Sequence, residues 1–402
     1  MKLAQLKEGF LHLERFVNDI THSSTAGYSE VENMYQPRTG DQEFLLPIFI
    51  LSKSECVIHT SHPNKQAQDF VRNGDDIRFF CHPDSLSDFR STVFRQPSSF
   101  IRVSPTSSTR TVLPIDTQGL TVKTHLGKRI SHFIRRLSAS SVLHSIQVSR
   151  DCAALARDPK CPKTFAYLPE SVGVTHLKED LGYIVREMRP QPEIDEPRIL
   201  LPLFALYSSD SKHPEDAPIL TQLIAESGRE PLEYFERFVL DPFMKTWAYA
   251  FRTRGLLFES HAQNTLLELD EQYVPQRIVV RDFQSIPVDP IIRARNGLRT
   301  PFKKHVIGRG DYPRIIEHSL QYDRFIGRCM FRAFANFFKR EYSIPEDAFY
   351  ASVRRTFRKY IPKIVEQEFF PPGHVTLADC DPTNNSYPLL YLSEQPLCRP
   401  SY

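Results

Sequence analysis

An α+β fold is predicted by two kinds of apolar pattern along the chain. Helical spacing of apolar residues marks five segments: 2–20, 127–148, 231–254, 312–341 and 345–368. Two segments that resemble a strand pair, GLLFESHAQNTLLELD (255–270) and RIVVRDF (277–283), are separated by a turn-like stretch. The segment 21–100 places short apolar runs among polar residues, which indicates irregular α+β structure. Helices and strands are therefore both expected.

Composition excludes several classes of protein. The chain has 402 residues, of which 51 are basic and 48 acidic, so its net charge of +3 argues against a general nucleic-acid binder. Its longest apolar runs, 44–51 and 199–207, each contain a proline and fall short of the ~20 residues that cross a bilayer. They predict buried strand or helix segments.

The first residues and the cysteines predict a cytoplasmic location. Charges interrupt the N-terminal MKLAQLKEGFLHLERFV, where a signal peptide would be apolar. The seven cysteines form no C-x-x-C pair and are widely scattered, which favours reduced thiols and predicts no structural metal.

Polar side chains concentrate on one face of the predicted strand at 258–264. Glu259, His261 and Gln263 alternate along FESHAQN, where a buried strand would carry apolar residues. If RIVVRDF pairs with this strand as a hairpin, Asp282 comes within reach of Glu259, and two carboxylates in a cleft suit Mg²⁺. The alternative is an exposed edge hairpin with ordinary polar residues.

Basic and hydroxyl side chains upstream form a second cluster. SPTSSTRT (104–111) surrounds Arg110 with hydroxyls, Lys123 precedes the predicted helix 127–148, and Arg135 and Arg136 lie within it. Such groups can converge on a polyphosphate. Neither a Walker loop nor a Gly-x-Gly-x-x-Gly motif occurs, so side chains would hold any nucleotide. The alternative for the helix is a solvated basic face.

The order of these motifs resembles the NRPS-independent siderophore synthetases of the aerobactin-synthetase (IucA/IucC) superfamily. The resemblance covers about 100–290. Four pieces carry it in order: SSTRT; VKTHLGKRISHFIRRL with Lys123, Ser131 and Arg135; LGYIVREM with Arg186 and Glu187; and FESHAQNTLLEL followed by VVRDF.

The resemblance implies a cupped, hand-like α+β fold with a mixed or antiparallel central sheet and a helical C-terminal region. It implies ATP and Mg²⁺ as cofactors, activation of a citrate-like carboxylic acid as an acyl-adenylate, and condensation with an amine or alcohol. The implied site residues are, for ATP, Ser108, Arg110, Thr111, Lys123, Arg135 and Asn264; for catalysis, His261, Arg135 and Gln263; and for the metal, Glu259 and Asp282.

The resemblance also implies a shortened N-terminal lobe. The expected division is an N-terminal α+β region (1–100), a nucleotide- and carboxylate-binding core (101–300) and a helical C-terminal region (301–402). CVIHTSHPNK, with His59, His62 and Lys65, is interpreted as a surface loop. A homodimer or a partner synthetase is possible, with no nucleic-acid or membrane partner. The alternatives are a non-catalytic nucleotide-binding paralogue or partner subunit and, last, a helical scaffold.

Overall fold

The structure is a computed structural model. It describes residues 1–18, 29–130, 133–309, 314, 317–318 and 321–362. Ser131, Cys380 and Cys398, together with parts of the predicted helices 2–20, 312–341 and 345–368, lie outside the described residues.

The described residues form fifteen strands. Their bounds are β1 Phe44–Leu51, β2 Cys56–Thr60, β3 Arg72–Asn73, β4 Asp76–Phe80, β5 Ser99–Pro105, β6 Thr111–Pro114, β7 Leu120–Lys123, β8 Arg129–Ile130, β9 Phe133–Ile134, β10 Phe165–Tyr167, β11 Glu170–His176, β12 Gly182–Glu187, β13 Ile199–Pro202, β14 Thr265–Leu269 and β15 Pro275–Val280.

The larger sheet is antiparallel at every pairing. It has nine strands in the order β2-β11-β12-β7-β6-β5-β1-β4-β3 among the described residues. Side chains of its own strands form an aromatic cluster, in which Tyr183 of β12 lies edge-on to Phe79 and Phe80 of β4. The sheet therefore has its own apolar core, separate from the core under the helices.

A second, smaller sheet has four strands in the order β10-β15-β14-β13. Its β14–β15 hairpin pairs Thr265 with Val280, and β10 runs parallel to β15. The mixed and antiparallel sheets confirm the α+β class that was expected.

The α-helices are numbered in chain order, and two π-helical stretches interrupt them. The bounds are α1 Phe10–Phe16, α2 Lys65–Phe70, α3 Ala139–Ala156, α4 Leu203–Tyr207, α5 Ile219–Ser227, α6 Pro231–Phe235, α7 Asp241–Arg254, α8 Pro290–Arg295, α9 Arg332–Tyr342 and α10 Glu346–Tyr360, with the π-helical Glu236–Leu240 and Gln321–Phe331 and the 3-10 helices Leu3–Glu8, Asn33–Tyr35, Pro83–Asp88 and Thr92–Phe94.

Helix α3 packs directly on the larger sheet. A Cβ built at Gly173 of β11 would lie 2.4 Å from Cγ1 of Val142, so the absence of a side chain there permits the close approach of helix and strand. The later helices form an aromatic core, where the ring of Phe235 meets the rings of Phe334, Phe338 and Phe349. Among the described residues, no helix is long and apolar enough to cross a membrane.

The helix expected over 231–254 is confirmed, although five of its residues have π geometry. The described part of 2–20 is helical in two pieces separated by Gly9. In the C-terminal region, α9 and α10 confirm the helices expected there, but α10 ends at Tyr360. The run 199–207 is half strand and half helix.

The prediction of one helix over 127–148 is wrong in its first half. Residues 129–134 supply the short strands β8 and β9, and α3 starts only at Ala139, after the N-cap Ser138. CVIHTSHPNK is also not a loop, since it supplies edge strand β2 and the first residue of α2. The larger sheet takes strands from both sides of residue 100, so the proposed regions 1–100 and 101–300 share it.

Two glycines offer a matched test of the helical region. Gly228 ends α5 and Gly255 ends α7, both with φ +64°. A Cβ at Gly255 would lie 2.6 Å from the carbonyl oxygen of Asp289, whereas a Cβ at Gly228 meets no described atom within 4 Å. Gly228→Ala should cost about 1 kcal/mol of unfolding free energy through its left-handed backbone, and Gly255→Ala about 1–3 kcal/mol more. Urea titration measures both; equal losses would contradict the steric argument.

Candidate active site: a cationic cleft between the two sheets

Four neighbouring strands of the larger sheet place polar side chains on one face. Directly paired residues share a face, and so do residues two apart on one strand. The register pairs Glu170 with Arg186, Arg186 with Thr121, and Lys123 with Thr111. Because Thr121 and Lys123 are two apart, all five residues lie on the same face of β11, β12, β7 and β6. This face supplies an acid and two of the cations of the site.

The hydroxyl-rich loop joins β5 to β6 at the edge of this face. The hydroxyl of Thr106 donates to the carbonyl oxygen of Thr111 over 2.7 Å, and the Ser108 hydroxyl oxygen accepts from the Thr111 N–H over 3.1 Å. Thr109 has φ +64°, a left-handed conformation that is unusual for a β-branched residue. The loop is therefore a tight turn held by its own hydroxyls.

The segment FESHAQN is a turn, so its prediction as a strand is wrong. Residues 257–264 have no strand pairing, and β14 begins only at Thr265. Inside the turn, the Gln263 N–H donates to Nδ1 of His261 over 3.2 Å. Alternation along a strand therefore does not explain its polar residues; they extend from a turn at the start of the hairpin.

The expected hairpin with RIVVRDF forms only from the residues after this turn, where β14 (Thr265–Leu269) pairs with β15 (Pro275–Val280). The Arg281 N–H donates to the carbonyl oxygen of Asn264 over 3.0 Å, just beyond the last pair of β14 and β15. Asp282 follows with φ +74°. A non-glycine residue in this conformation is strained, and such strain concentrates at functional sites.

These elements enclose one narrow cleft, with a cavity volume of about 10 Å³. It brings together Ser108, Thr111, Gln263, Asn264 and Asp282 of the expected site. The residues that line it are Phe10, Thr106, Ser107, Ser108, Thr111, Thr121, Arg186, Met188, Gln263, Asn264, Arg281 and Asp282. The cleft therefore joins the hydroxyl loop to the polar turn, and Nε2 of Gln263 donates to the Ser107 hydroxyl over 2.9 Å across it.

Asp282 is the centre of the ion pairs beside the cleft. Its Oδ1 accepts a hydrogen bond from the buried Lys123 ammonium and lies 3.7 Å from Nη2 of Arg186. The same guanidinium donates to Oε1 of the fully buried Glu170 over 2.6 Å. Burial alone would raise the pKa of Asp282, but Lys123, Arg186 and Arg110 together hold it well below its usual range.

Arg110 and Arg135 are also joined, but not through a helix. Nη1 of Arg110 donates to the carbonyl oxygen of Arg135 over 2.6 Å, in the extended stretch between β9 and α3. The prediction that Arg135 and Arg136 lie in a helix is therefore wrong. Arg136 is exposed, whereas Arg135 is only partly accessible and interacts electrostatically with both Asp282 and Glu259.

Burial lowers the pKa of three cations of the site. For Arg110, burial together with repulsion from Arg135 lowers the pKa to about 10. Burial lowers the pKa of Lys123 to about 8, although Asp282 opposes the shift. The pKa of Arg135 is also lowered by burial. Because loss of water disfavours their charged forms, these groups would be stabilised by an anion in the cleft.

The two expected metal ligands have different surroundings. Oε2 of Glu259 accepts from the Ser285 hydroxyl over 2.9 Å, while Asp282 faces Lys123. Both are oxygen donors of the kind that Mg²⁺ prefers, and the lowered pKa keeps Asp282 ionised. The donor chemistry fits Mg²⁺. Elsewhere in the described chain, His213, Glu215 and Asp216 form an exposed group with metal-like spacing.

The structure adds residues that the motifs did not single out. Glu14 of α1 is fully buried, and its Oε2 accepts from the N–H and hydroxyl of Ser107 over 3.1 and 2.5 Å. Nη2 of Arg281 lies 2.7 Å from Glu14 Oε1. The signal that could have identified Glu14 is an acidic residue inside an amphipathic helix, which alone is too common to select it. Glu187, which the LGYIVREM motif already names, has its Oε1 2.9 Å from Nε2 of His62.

Comparisons with known proteins agree with this arrangement. The IucA / IucC family model matches residues 90–208, and the model of the ferric iron reductase FhuF-like transporter family matches residues 239–390. The L-2,3-diaminopropanoate–citrate ligase of Staphylococcus aureus (strain NCTC 8325 / PS 47) is 29% identical over 203 residues, covering 46% of this chain and 33% of that protein.

Solved structures share the fold. The petrobactin biosynthesis protein AsbB from Bacillus anthracis str. Sterne superimposes with a TM-score of 0.65 at 15% identity, over 81% of this chain and 62% of that one. ATP-bound aerobactin synthetase IucA from a hypervirulent pathotype of Klebsiella pneumoniae gives a TM-score of 0.65 at 16% identity, over 91% and 73%. The chain is therefore similar to the IucA/IucC family in sequence over residues 90–208, and it shares the fold of solved synthetases over most of its length.

The match to this synthetase family does not extend over the whole length of the relatives. The chain spans a third of the length of the Staphylococcus aureus ligase and about three fifths of AsbB. The region matched by the IucA / IucC model contains the hydroxyl loop, Lys123, Arg135 and Arg186, while the polar turn and Asp282 lie in the region matched by the FhuF-like model. The cleft therefore joins residues from both matched regions.

The Glu170–Arg186 pair predicts a large effect on stability. Glu170→Ala leaves the buried guanidinium without its closest carboxylate, and the Phe283 N–H loses an acceptor at 3.4 Å. The expected loss is about 3–5 kcal/mol of unfolding free energy in urea titration, because a buried charge is left uncompensated. Glu233→Ala removes the more exposed partner of Arg229 and should cost at most about 1 kcal/mol. Similar losses in the two variants would contradict the assignment.

Proposed function

We propose that the chain is an ATP- and Mg²⁺-dependent ligase of siderophore biosynthesis. In this proposal it activates a citrate-like carboxylic acid as an acyl-adenylate and condenses it with an amine or alcohol. The observation that carries the proposal is the surplus of buried cations at a cleft also lined by hydroxyls, amides and one ionised carboxylate. The match of residues 90–208 to the IucA / IucC family and the similarity to a citrate ligase support the same chemistry.

In the first step, a carboxylate oxygen of the acid attacks the α-phosphorus of ATP, and the bond to the β-phosphate oxygen breaks. The negative charge of the phosphates is stabilised by Lys123, Arg110 and Arg135. Because these cations are buried away from water, they gain from the presence of an anion. Ser108 and Thr111 orient the phosphates by hydrogen bonds. Asn264 would donate to the phosphates, while Glu259 and Asp282 would hold Mg²⁺, which supplies further neutralisation of phosphate charge when bound.

In the second step, the amine or alcohol attacks the acyl carbon of the adenylate. The new C–N or C–O bond forms, the acyl–oxygen bond to the phosphate breaks, AMP leaves, and the nucleophile releases its proton. His261 and Gln263 would orient the acid so that the reacting atoms remain close during both steps. No covalent enzyme intermediate is required, because positioning and charge stabilisation supply the catalysis.

Loss of single cations tests the proposal. With ATP, Mg²⁺, a panel of citrate-like acids and an amine such as hydroxylamine, the wild-type chain should release pyrophosphate. Lys123→Ala and Arg135→Ala should each lower the rate at least about 100-fold, a loss of about 2.7 kcal/mol of transition-state stabilisation.

Arg136→Ala is the matched control, because this neighbouring arginine is exposed and should tolerate the change within about twofold. Circular dichroism and urea titration check that each variant folds. Absence of pyrophosphate release by the folded wild-type chain with every acid, or equal loss in the Arg135 and Arg136 variants, would contradict the proposal.

The lowered pKa of Lys123 predicts a pH dependence of anion binding. Below about pH 8 the Lys123 ammonium is charged and attracts phosphate, and above that value it becomes neutral. The affinity for ATP should therefore fall between pH 7 and pH 9, as measured by calorimetry. Lys123→Met, which cannot ionise, should bind more weakly at pH 7 and lose this fall. If the Met variant shows the same decrease in ATP affinity between pH 7 and pH 9, the decrease must come from the titration of another group.

A further inference from the structure

A pocket with a volume of about 370 Å³ lies outside the cleft. This side pocket is defined by Pro287, Lys303, His305, Arg309, Glu317 and Gln321. Binding sites for small molecules commonly have volumes of about 300–1,000 Å³, so the side pocket has room for one small substrate. It shares no lining residue with the cleft, so it can hold a second molecule.

One wall of the side pocket also supports the polar turn. The Pro287 carbonyl oxygen accepts from the Leu257 N–H over 3.0 Å, two residues before Glu259. Two residues before Pro287, the Ser285 hydroxyl donates to Oε2 of Glu259 over 2.9 Å. This wall therefore runs alongside the segment that carries Glu259.

A second wall reaches the same turn from the helical side. Gln321 begins the π-helical stretch Gln321–Phe331, and the centre of the Phe325 ring, four residues later, lies 6.1 Å from that of the His261 ring. Residues four apart lie on neighbouring turns of one helix face. The side pocket is therefore adjacent to both Glu259 and His261, which the proposed function assigns to the metal ion and the acid.

The side pocket carries charges of both signs that are not paired with each other. Lys303 and Arg309 are exposed, and neither forms an ion pair within the part of the chain that the structure describes. The half-buried Glu317 accepts at Oε2 from the Gly308 N–H over 2.9 Å. Burial raises the pKa of Glu317 against the effect of this bond, and the charge of Asp289 raises it further, so a cation would stabilise the carboxylate. A ligand that compensates all three side chains carries an anionic group and an ammonium group.

The chemistry of the second step limits this ligand further. An amine attacks the acyl carbon through the lone pair of its nitrogen, and an ammonium group has no lone pair. An ammonium group that is paired with Glu317 therefore cannot be the attacking group. The ligand needs a second amino or hydroxyl group for the attack.

We propose that the side pocket binds the substrate that is acylated in the second step, and that this substrate is an α-amino acid with a second amino or hydroxyl group. The inference rests on the proposed function. Lys303 and Arg309 bind the carboxylate, Glu317 binds the ammonium group, and the second amino or hydroxyl group extends toward the polar turn. That group forms the new C–N or C–O bond to the acyl carbon, the acyl–oxygen bond breaks, AMP leaves with the electron pair of that bond, and the proton of the attacking group passes to water.

Pairs of substrates that differ only in the carboxylate test this proposal. The pairs are L-ornithine with putrescine, L-lysine with cadaverine, and L-serine with ethanolamine. Pyrophosphate release by the full chain is measured with ATP, Mg²⁺ and a citrate-like acid that supports turnover with hydroxylamine. At least one amino acid should react with a kcat/KM at least about tenfold above that of its decarboxylated partner, because only the amino acid reaches both cations.

Substitutions in the side pocket separate the two charged groups of the substrate. Lys303→Ala and Arg309→Ala should each raise the KM for the amino acid at least about fivefold, with a smaller change in kcat and little change in the KM for the decarboxylated partner. Glu317→Gln keeps an acceptor for the Gly308 N–H and removes the negative charge. It should raise the KM for both members of a pair, because both carry the ammonium group.

Lys304→Ala is the matched control. Lys304 is an exposed neighbour of Lys303 that does not line the side pocket, and its Nζ donates to the Ser138 hydroxyl over 2.9 Å. Its loss should change each KM by less than about twofold. Circular dichroism checks that each variant folds.

Three results would overturn the role of the side pocket: no preference for any amino acid over its partner, equal changes in KM in the Lys303 and Lys304 variants, or a rise in the KM for the citrate-like acid in place of the amino acid. Absence of pyrophosphate release even with hydroxylamine would instead overturn the proposed function, and the inference about the side pocket with it.

Discussion

The pairing of Asp282 with Lys123 and Arg186 is the interaction on which the site depends. Four buried cations, Arg110, Lys123, Arg186 and Arg281, share the carboxylates of Glu14, Glu170 and Asp282. Removing charges from water is costly unless each one is paired. The shared carboxylates make the arrangement stable enough to fold, and the remaining positive charge makes it selective for an anion.

This charge arrangement requires both sheets. The larger sheet supplies Glu170, Arg186 and Lys123 through the register of adjacent strands, and the hairpin of the smaller sheet supplies Asp282 from a strained position beyond its last pair. Neither sheet alone contains a compensated set. The packing of the two sheets against each other is therefore energetically coupled to the formation of the cleft.

The sequence patterns predicted which side chains gather at the site better than they predicted the secondary structure that carries those side chains. The hairpin follows from the turn-like stretch between two apolar segments. The motifs assign Asp282 to a metal site with Glu259 and do not predict its contact with Lys123, because β7 and the hairpin lie in different sheets. The helix over 127–148 failed because its apolar spacing is also satisfied by a short hairpin, and the Arg110 guanidinium takes a carbonyl oxygen that a helix would use internally. Glu14 could not be selected, since its partner Ser107 lies 93 residues away.

The Lys123–Asp282 pair also constrains what can enter the cleft. A simple anion that drew Lys123 away would leave the Asp282 carboxylate without its hydrogen-bonded cation, with Arg186 at 3.7 Å and Arg110 acting only electrostatically. A simple cation near Asp282 would face two positive side chains. A ligand that carries both signs of charge, such as a nucleotide with its metal ion, compensates both members of the pair at once. Under the proposed function, the ion pair would favour the complete metal–nucleotide complex over either component, because each partial ligand would leave one buried charge unpaired.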